Sequence, residues 1–213
     1  MQIEFDETTH TYRADGVEVP SVTQVLSEVG INCVDHIPEE KLEAAGIRGR
    51  HIHAACHYLD DGDLDFDTVK PEYLGYIRAY ENFKNESGFF PRMKEAFVFS
   101  EELRVAGTLD RLGTISADWL RGLRINEFFL RTVPPYILID LKTGEVGAAA
   151  LQTAGYALCL KWPPSEPLLR AALKLNSDGT YKFHPYVSPL DKAVFRSAVQ
   201  VCNWKRGSVN GRS

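Results

Sequence analysis

The sequence predicts an α/β fold, a central mixed β-sheet flanked by helices with a helical N-terminal part. Three observations predict it. From residue 71 onward, Tyr73, Ile77, Tyr80 and Phe83 recur at three- and four-residue steps, the spacing of a helix with one buried stripe. Residues 94–100 change to period two, with Glu95, Phe97 and Phe99 on one side and Ala96 and Val98 on the other. Residues 136–141 form a continuous apolar run ending in charge, the pattern of a strand buried on both faces. With 213 residues the chain reads as a single domain over 1–213, because domains commonly span about 100–200 residues.

Taken in order, the segment IEFDETTHTYRADGVEVPSV predicts two short strands around Asp15-Gly16, a pair suited to a tight turn. Ser21 caps a helix running through Val25 and Leu26. A second helix starts near Pro38-Glu39-Glu40, and a third covers residues 48–59. An acidic loop with Asp60, Asp61, Asp63, Asp65 and Asp67 follows, and Pro71 opens the helix of the Tyr73 stripe. Residues 94–100 and 105–115 then make adjacent antiparallel strands. Residues 116–135 receive no regular assignment. After the buried strand 136–141, an alanine-rich helix covers 148–160 and stops before Pro163-Pro164. Strands near 168–175 and 180–187 flank Asp178-Gly179, and residues 189–205 form an amphipathic helix.

A hydrophobic content of 44% with 25% charged residues is that of an ordinary globular chain, which excludes disorder, collagen and coiled coil. No stretch approaches the roughly 20 apolar residues that span a bilayer, and the N-terminus lacks signal-peptide order, so a cytoplasmic protein with no membrane partner is expected. Cys33, Cys56, Cys159 and Cys202 are far apart and contain no C-x-x-C pair, which predicts reduced, buried thiols. The net charge is −5, yet residues 1–110 carry −12 and residues 111–213 carry +7, so a polyanion could dock on the second half.

The segment Ile137-Leu138-Ile139-Asp140-Leu141-Lys142 runs a buried strand into a carboxylate and an ammonium that alternation puts on one side. Burying an unpaired charge costs several kcal/mol, so the pair calls for compensation, which a metal ion supplies. Leu141 faces the core, leaving its carbonyl for the same ligand. A satisfied ion pair is the alternative for D-x-K alone. A second strand, Val105-Ala106-Gly107-Thr108-Leu109-Asp110, adds another carboxylate, with a glycine permitting close approach. Two acids and a carbonyl make an all-oxygen site that suits Mg²⁺ or Mn²⁺ rather than zinc. Gln152 and Tyr156 share a helix face. His53 is the inward polar group of its helix, and His53 with His57 has the spacing of a zinc pair or of two surface histidines.

The order Gly49-x-x-x-His53, Glu95, Gly107-x-x-Asp110, Asp140-x-Lys142, Gln152-x-x-x-Tyr156 resembles the PD-(D/E)XK nuclease superfamily, and more narrowly its RecB-like, phage exonuclease branch. The resemblance covers residues 49–156 and includes the opening hairpin with PSVTQVL. It implies a restriction-endonuclease-like core with the active site in a cleft at one sheet edge, beside the helical N-terminal part. It implies a Mg²⁺-dependent DNA exonuclease hydrolysing phosphodiester bonds in phage-type recombination or processing. In that scheme Asp110, Asp140 and the Leu141 carbonyl hold the metal, and Glu95 and His53 are further ligands. Lys142 positions the attacking water, and Gln152 and Tyr156 hold the neighbouring nucleotide. Glu145 is a substitute for Glu95. The cysteine spacing departs from the four-cysteine relatives, so no iron–sulfur cluster is expected.

Arg104, Arg111, Lys161, Lys174, Lys182 and Arg206 are basic candidates for the DNA backbone. Trp119, Trp162 and Trp204 are assigned to core packing rather than to base stacking. Two other readings stand beside the exonuclease: a catalytically silent module that binds DNA ends or a partner, and a structure-specific endonuclease. DNA is the expected partner, with a homo-oligomer or a phage recombination protein as further assemblies. A phage-encoded protein would act in its host's cytoplasm.

Overall fold

The computed structural model describes residues 2–6, 9, 11–32, 38–163 and 165–210. Strands β1 (Ile3–Asp6), β2 (Thr11–Ala14) and β3 (Val17–Val19) form an antiparallel sheet. Asp15 and Gly16 both take positive φ, 51° and 76°, which is the backbone a two-residue hairpin turn requires. The expected pair of strands thus gains a third, β1. Ser21 then caps α1 (Val22–Glu28) reciprocally. Its Oγ accepts from the Gln24 N–H at 3.0 Å, and Gln24 Oε1 accepts from the Ser21 N–H at 2.8 Å.

The two helices expected after Pro38 are one, α2 (Glu39–Asp61), which runs through Gly46 and Gly49. Each glycine costs a helix interior about 1 kcal/mol, but Ile52 and Cys56 are fully buried and hold the helix on the sheet. Gly62, left-handed at φ 78°, ends it. Helix α3 (Pro71–Ser87) buries Ile77, Tyr80 and Phe83 as its periodicity requires.

The main sheet consists of β4 (Phe90–Ser100), β5 (Val105–Thr114), β6 (Tyr136–Lys142), β7 (Leu168–Leu175) and β8 (Tyr181–Tyr186), paired in that order. All neighbours are antiparallel except β6 and β7, which are parallel and joined by α5 (Ala149–Cys159), so the sheet is mixed. The unassigned stretch 116–135 contains α4 (Ala117–Gly122) and a short 3₁₀ turn at Glu127–Leu130. Their caps are Ser116 and Asn126. The chain closes with α6 (Leu190–Asn210).

Both faces of the sheet are covered. Ile52, Cys56, Tyr80 and Phe83 of α2 and α3 meet Ile137, Ile139, Leu169 and Leu173 on one side. On the other, Val22, Leu26, Phe195 and Cys202 of α1 and α6 meet Leu109, Leu112 and Leu138. Fully burying each such side chain contributes about 1.5–3 kcal/mol. The small sheet packs Tyr12, Ala14 and Val19 on Phe99 and Ala106. It is tied to β5 through the Ala106 N–H and the Pro20 carbonyl at 3.0 Å.

Cys56, Cys159 and Cys202 are buried free thiols, while Cys33 and Pro164 lie outside the described residues. Trp119 and Trp162 pack partly buried against the two core clusters. Trp204 does not fill the core, because α6 turns it outward and leaves it 71% exposed. Among the described residues no helix is long and apolar enough to cross a membrane.

Candidate metal centre

The β5–β6 ladder runs from Thr114 opposite Tyr136 to Arg111 opposite Ile139 and stops there. One step further, where the strands splay, stand Asp110 and Asp140. In the β4–β5 ladder Lys94 is opposite Arg111 and Ala96 opposite Leu109, which sets Glu95 level with Asp110. That pair is also missing from the ladder, and Glu95 takes a left-handed φ of 44°. Leu109 and Leu112 pack in the same cluster although they are an odd number of residues apart, so β5 shifts phase across Asp110 and Arg111. Three carboxylates therefore share one row across three neighbouring strands. The row reaches the edge strand β4, and its centre is the splayed end of two inner strands.

His53 projects from α2 onto this row. Its Nδ1 lies 3.6 Å from Glu95 Oε1 and 3.7 Å from Asp110 Oδ1, and its Nε2 lies 3.2 Å from the Leu141 carbonyl oxygen. Asp110 Oδ2 accepts the Leu141 N–H at 2.7 Å. Asp140 is 1% exposed, and Lys142 Nζ pairs with its Oδ2 at 2.8 Å. Beyond that ion pair, neither Asp140 oxygen has a hydrogen-bond partner among the described residues. Lys142 also donates to Gln152 Oε1 at 3.0 Å, and Gln152 Nε2 donates to the Tyr156 hydroxyl at 3.0 Å. Gly107 makes room for that tyrosine, since a Cβ there would stand 2.7 Å from the ring.

The electrostatics follow from burial and crowding. Burial pushes the Asp140 carboxyl above the usual carboxylate range, against the pull of Lys142. Burial disfavours a charged His53, but Asp110, Glu95 and Asp140 outweigh it and hold the imidazole at about 9. Lys142 is likewise raised, its burial outweighed by Asp140 and Asp110. Glu95 is lowered, because His53 and Arg111 outweigh its burial. The Tyr156 hydroxyl is pushed far up by burial and by the nearby acids, so it stays a neutral donor.

Arg111, expected on a DNA-facing surface, is fully buried. It donates at 2.7 Å to Asp60 Oδ2, Glu95 Oε1 and the Asp110 carbonyl, and at 3.5 Å to the His53 carbonyl. Asp60, whose side chain is also fully buried, further accepts from the Tyr80 hydroxyl at 3.0 Å and from Lys84 at 2.7 Å. Sequence reasoning missed this hub beneath the site, placing Asp60 in a solvated acidic run.

Of the other basic candidates, Lys161 pairs with Glu101 at 2.7 Å and Arg206 with Glu28, while Arg104 donates to the Ala14 carbonyl at 3.4 Å. Lys174 and Lys182 sit level with Lys142 on β7 and β8, a row of three ammonium groups. Glu145 is exposed and pairs with Lys174 at 2.9 Å, so Glu95 joins the cluster and Glu145 does not. His57 pairs with Asp61 at 3.3 Å rather than with His53.

Two cavities meet at Glu95. One, about 610 Å³, runs along α2 past Arg50, His53, His57 and Tyr58. The other, about 380 Å³, lies between the small sheet and the cluster and is lined by Phe5, Tyr12, Ser21, Thr23, Thr108 and Asp110.

Three of these side chains could hold a metal ion. The ligand atoms of His53, Glu95 and Asp110 lie within 4.8 Å of one another, and Asp140 offers buried oxygens whose one partner among the described residues is Lys142. The carboxylate and carbonyl oxygens are of the kind that suit Mg²⁺ or Mn²⁺, while the His53 imidazole is a donor that softer metals prefer. No protein-family model matches the chain, and no curated protein matches its sequence.

Proposed function

We propose that the protein is a Mg²⁺-dependent nuclease of PD-(D/E)XK type that hydrolyses DNA phosphodiester bonds, acting as an exonuclease. The observation that carries this is the row Glu95, Asp110, Asp140 across three strands, with a buried carboxylate left short of partners beside Lys142. In this reading the five-stranded sheet and its helices are a restriction-endonuclease-like core. Asp110, Asp140 and the Leu141 carbonyl would hold the cation, with Glu95 and His53 completing the set. Such a cation supplies Lewis acidity toward a phosphoryl oxygen and lowers the pKa of water.

The remaining work falls to side chains. Lys142 orients the attacking water and offsets the negative charge that grows on the phosphate, an interaction that strengthens in the transition state. Gln152 holds the Lys142 ammonium in place through its Oε1, and Tyr156 fixes the Gln152 amide in turn. Both retain a polar edge for the adjoining nucleotide. Arg111 pins Glu95 and the Asp110 backbone from below.

End-labelled linear DNA and circular DNA, incubated with and without Mg²⁺, test the proposal. Mg²⁺-dependent loss of linear DNA with circles intact is expected. Linear DNA that survives both Mg²⁺ and Mn²⁺ overturns the enzymatic reading, and cut circles convert the exonuclease into an endonuclease.

A further inference from the structure

A third cavity, of about 480 Å³, opens where β7 begins and β8 ends, and it shares no lining residue with the two that meet at Glu95. Along β7 it takes Leu168 and Arg170, while Asp140 is level with Ala172 further on, so Leu168 stands about 13 Å short of the acidic row. Segments remote in sequence supply its rings. Phe128 and Phe129, edge to face at 5.3 Å between centroids, come from the turn at Glu127–Leu130, Trp162 follows α5, and Tyr186 ends β8. The indole is fixed from two sides: its Nε1 donates to the Glu166 carbonyl at 2.9 Å, and Tyr136 packs edge-on against it at 5.0 Å. Such a wall offers apolar area to a flat ring without having to be ordered first.

The charged groups of this cavity divide into answered and unanswered. Arg170 is buried and saturated, donating at 2.7 Å to Asp191 Oδ2 and to the Ala150 carbonyl and at 3.2 Å to the Ser188 carbonyl. Lys192, exposed on α6, makes no ion pair with any described residue. Burial, with the neighbouring Arg170 and Arg196 guanidinium groups, holds its ammonium below the usual lysine range, and Arg196 is itself taken by Glu102. Glu166 is the one acid among the described lining residues, and its carboxylate likewise has no ion-pair partner there, Lys192 included. The wall therefore presents a free cation and a free acid that stand apart from each other. The volume falls within the roughly 300–1,000 Å³ of small-molecule sites.

We infer that this cavity binds a small planar aromatic molecule that carries both an anionic group and N–H donors, the chemistry shared by a mononucleotide and an aromatic amino acid. The ring packs on Trp162 and the Phe128–Phe129 pair, the anion meets Lys192, and an N–H of the ligand donates to Glu166. An anion at Lys192 offsets the positive charge that Arg170 and Arg196 impose on it. The site does not depend on the nuclease reading, because none of its groups belongs to the metal centre.

Titration calorimetry of the full chain with dGMP, with L-tryptophan and with inorganic phosphate tests the inference. At least one organic probe should bind at a single site with a dissociation constant below about 1 mM. Inorganic phosphate, which brings no ring to the aromatic wall, should bind about tenfold more weakly or worse. Lys192→Ala should weaken the organic probe about tenfold, with Lys192→Arg restoring it. Trp162→Leu should weaken it about fivefold or more, and Phe128→Ala, at a side chain that already stands half in solvent, should act in the same direction without entering the core. Lys142→Ala should leave the affinity unchanged, which separates this cavity from the metal centre. Binding of dGMP alone identifies the ligand as a nucleotide, and binding of tryptophan alone identifies it as an amino acid. Neither organic probe binding below about 1 mM overturns the inference. So does phosphate as tight as either of them, unchanged affinity in both Lys192→Ala and Phe128→Ala, or loss of binding in Lys142→Ala.

Discussion

Two buried ionic groups adjoin the β5–β6 splay and are built by opposite rules. Around Arg111 each charge is matched: the guanidinium reaches two carboxylates and two carbonyls, and Asp60 collects an arginine, a lysine and a tyrosine hydroxyl. Around Asp140 the carboxylate has one ammonium at 2.8 Å and no further partner among the described residues. A saturated network holds a shape, because nothing further can be gained by adding a ligand. An unsaturated one costs stability until something completes it. The difference teaches which of two adjacent charged clusters is framework and which is site.

The largest expected effect lies in the framework. Arg111→Met leaves Asp60 buried with only Lys84 as counter-charge, and urea unfolding should show a loss of about 3–5 kcal/mol. A loss below about 1 kcal/mol would erase the contrast. Lys142→Ala should behave in the reverse sense. Cleavage should fall about 10²–10³-fold, while the urea midpoint moves little, because Asp140 can take up a proton toward which burial already biases it. Next in size, Mg²⁺ at a hundred times its dissociation constant should stabilise the wild-type protein by about 2.7 kcal/mol in thermal scans, and should fail to stabilise Asp140→Asn.

The smallest effect concerns His53 in metal-free protein. Its pKa is about 9 in the fold against roughly 6.5 in an unfolded chain. A raised folded value means that its stabilisation is complete below pH 6.5 and is lost as pH rises through 9. Thermal scans across that window should slope downward in wild type and lie flatter in His53→Asn. Identical slopes would detach His53 from the acids around it.

Much of this was legible in the chain, and the reasons differ by element. The buried run of β6 and the four-residue step from Gln152 to Tyr156 are local patterns, and the structure joins that pair at 3.0 Å. Helix α2 read as two because glycine is a poor helix former, and only the burial of Ile52 and Cys56 settles the matter. The turns within 116–135 carry a local signal in Ser116 and Asn126, whose side chains accept from Trp119 and Phe128. Arg111 was unreadable as a buried group, since an arginine's default is the surface and its partner is 51 residues away. Choosing Glu95 over Glu145 required the strand pairing, which no single segment encodes.

The left-handed backbone at Glu95 has a consequence for how this chain would respond to selection. A glycine or asparagine would sit there with less conformational penalty than a glutamate does. The acid is kept there because it also answers the buried Arg111 guanidinium at 2.7 Å, so variants chosen for heat resistance alone should retain it as firmly as variants chosen for turnover.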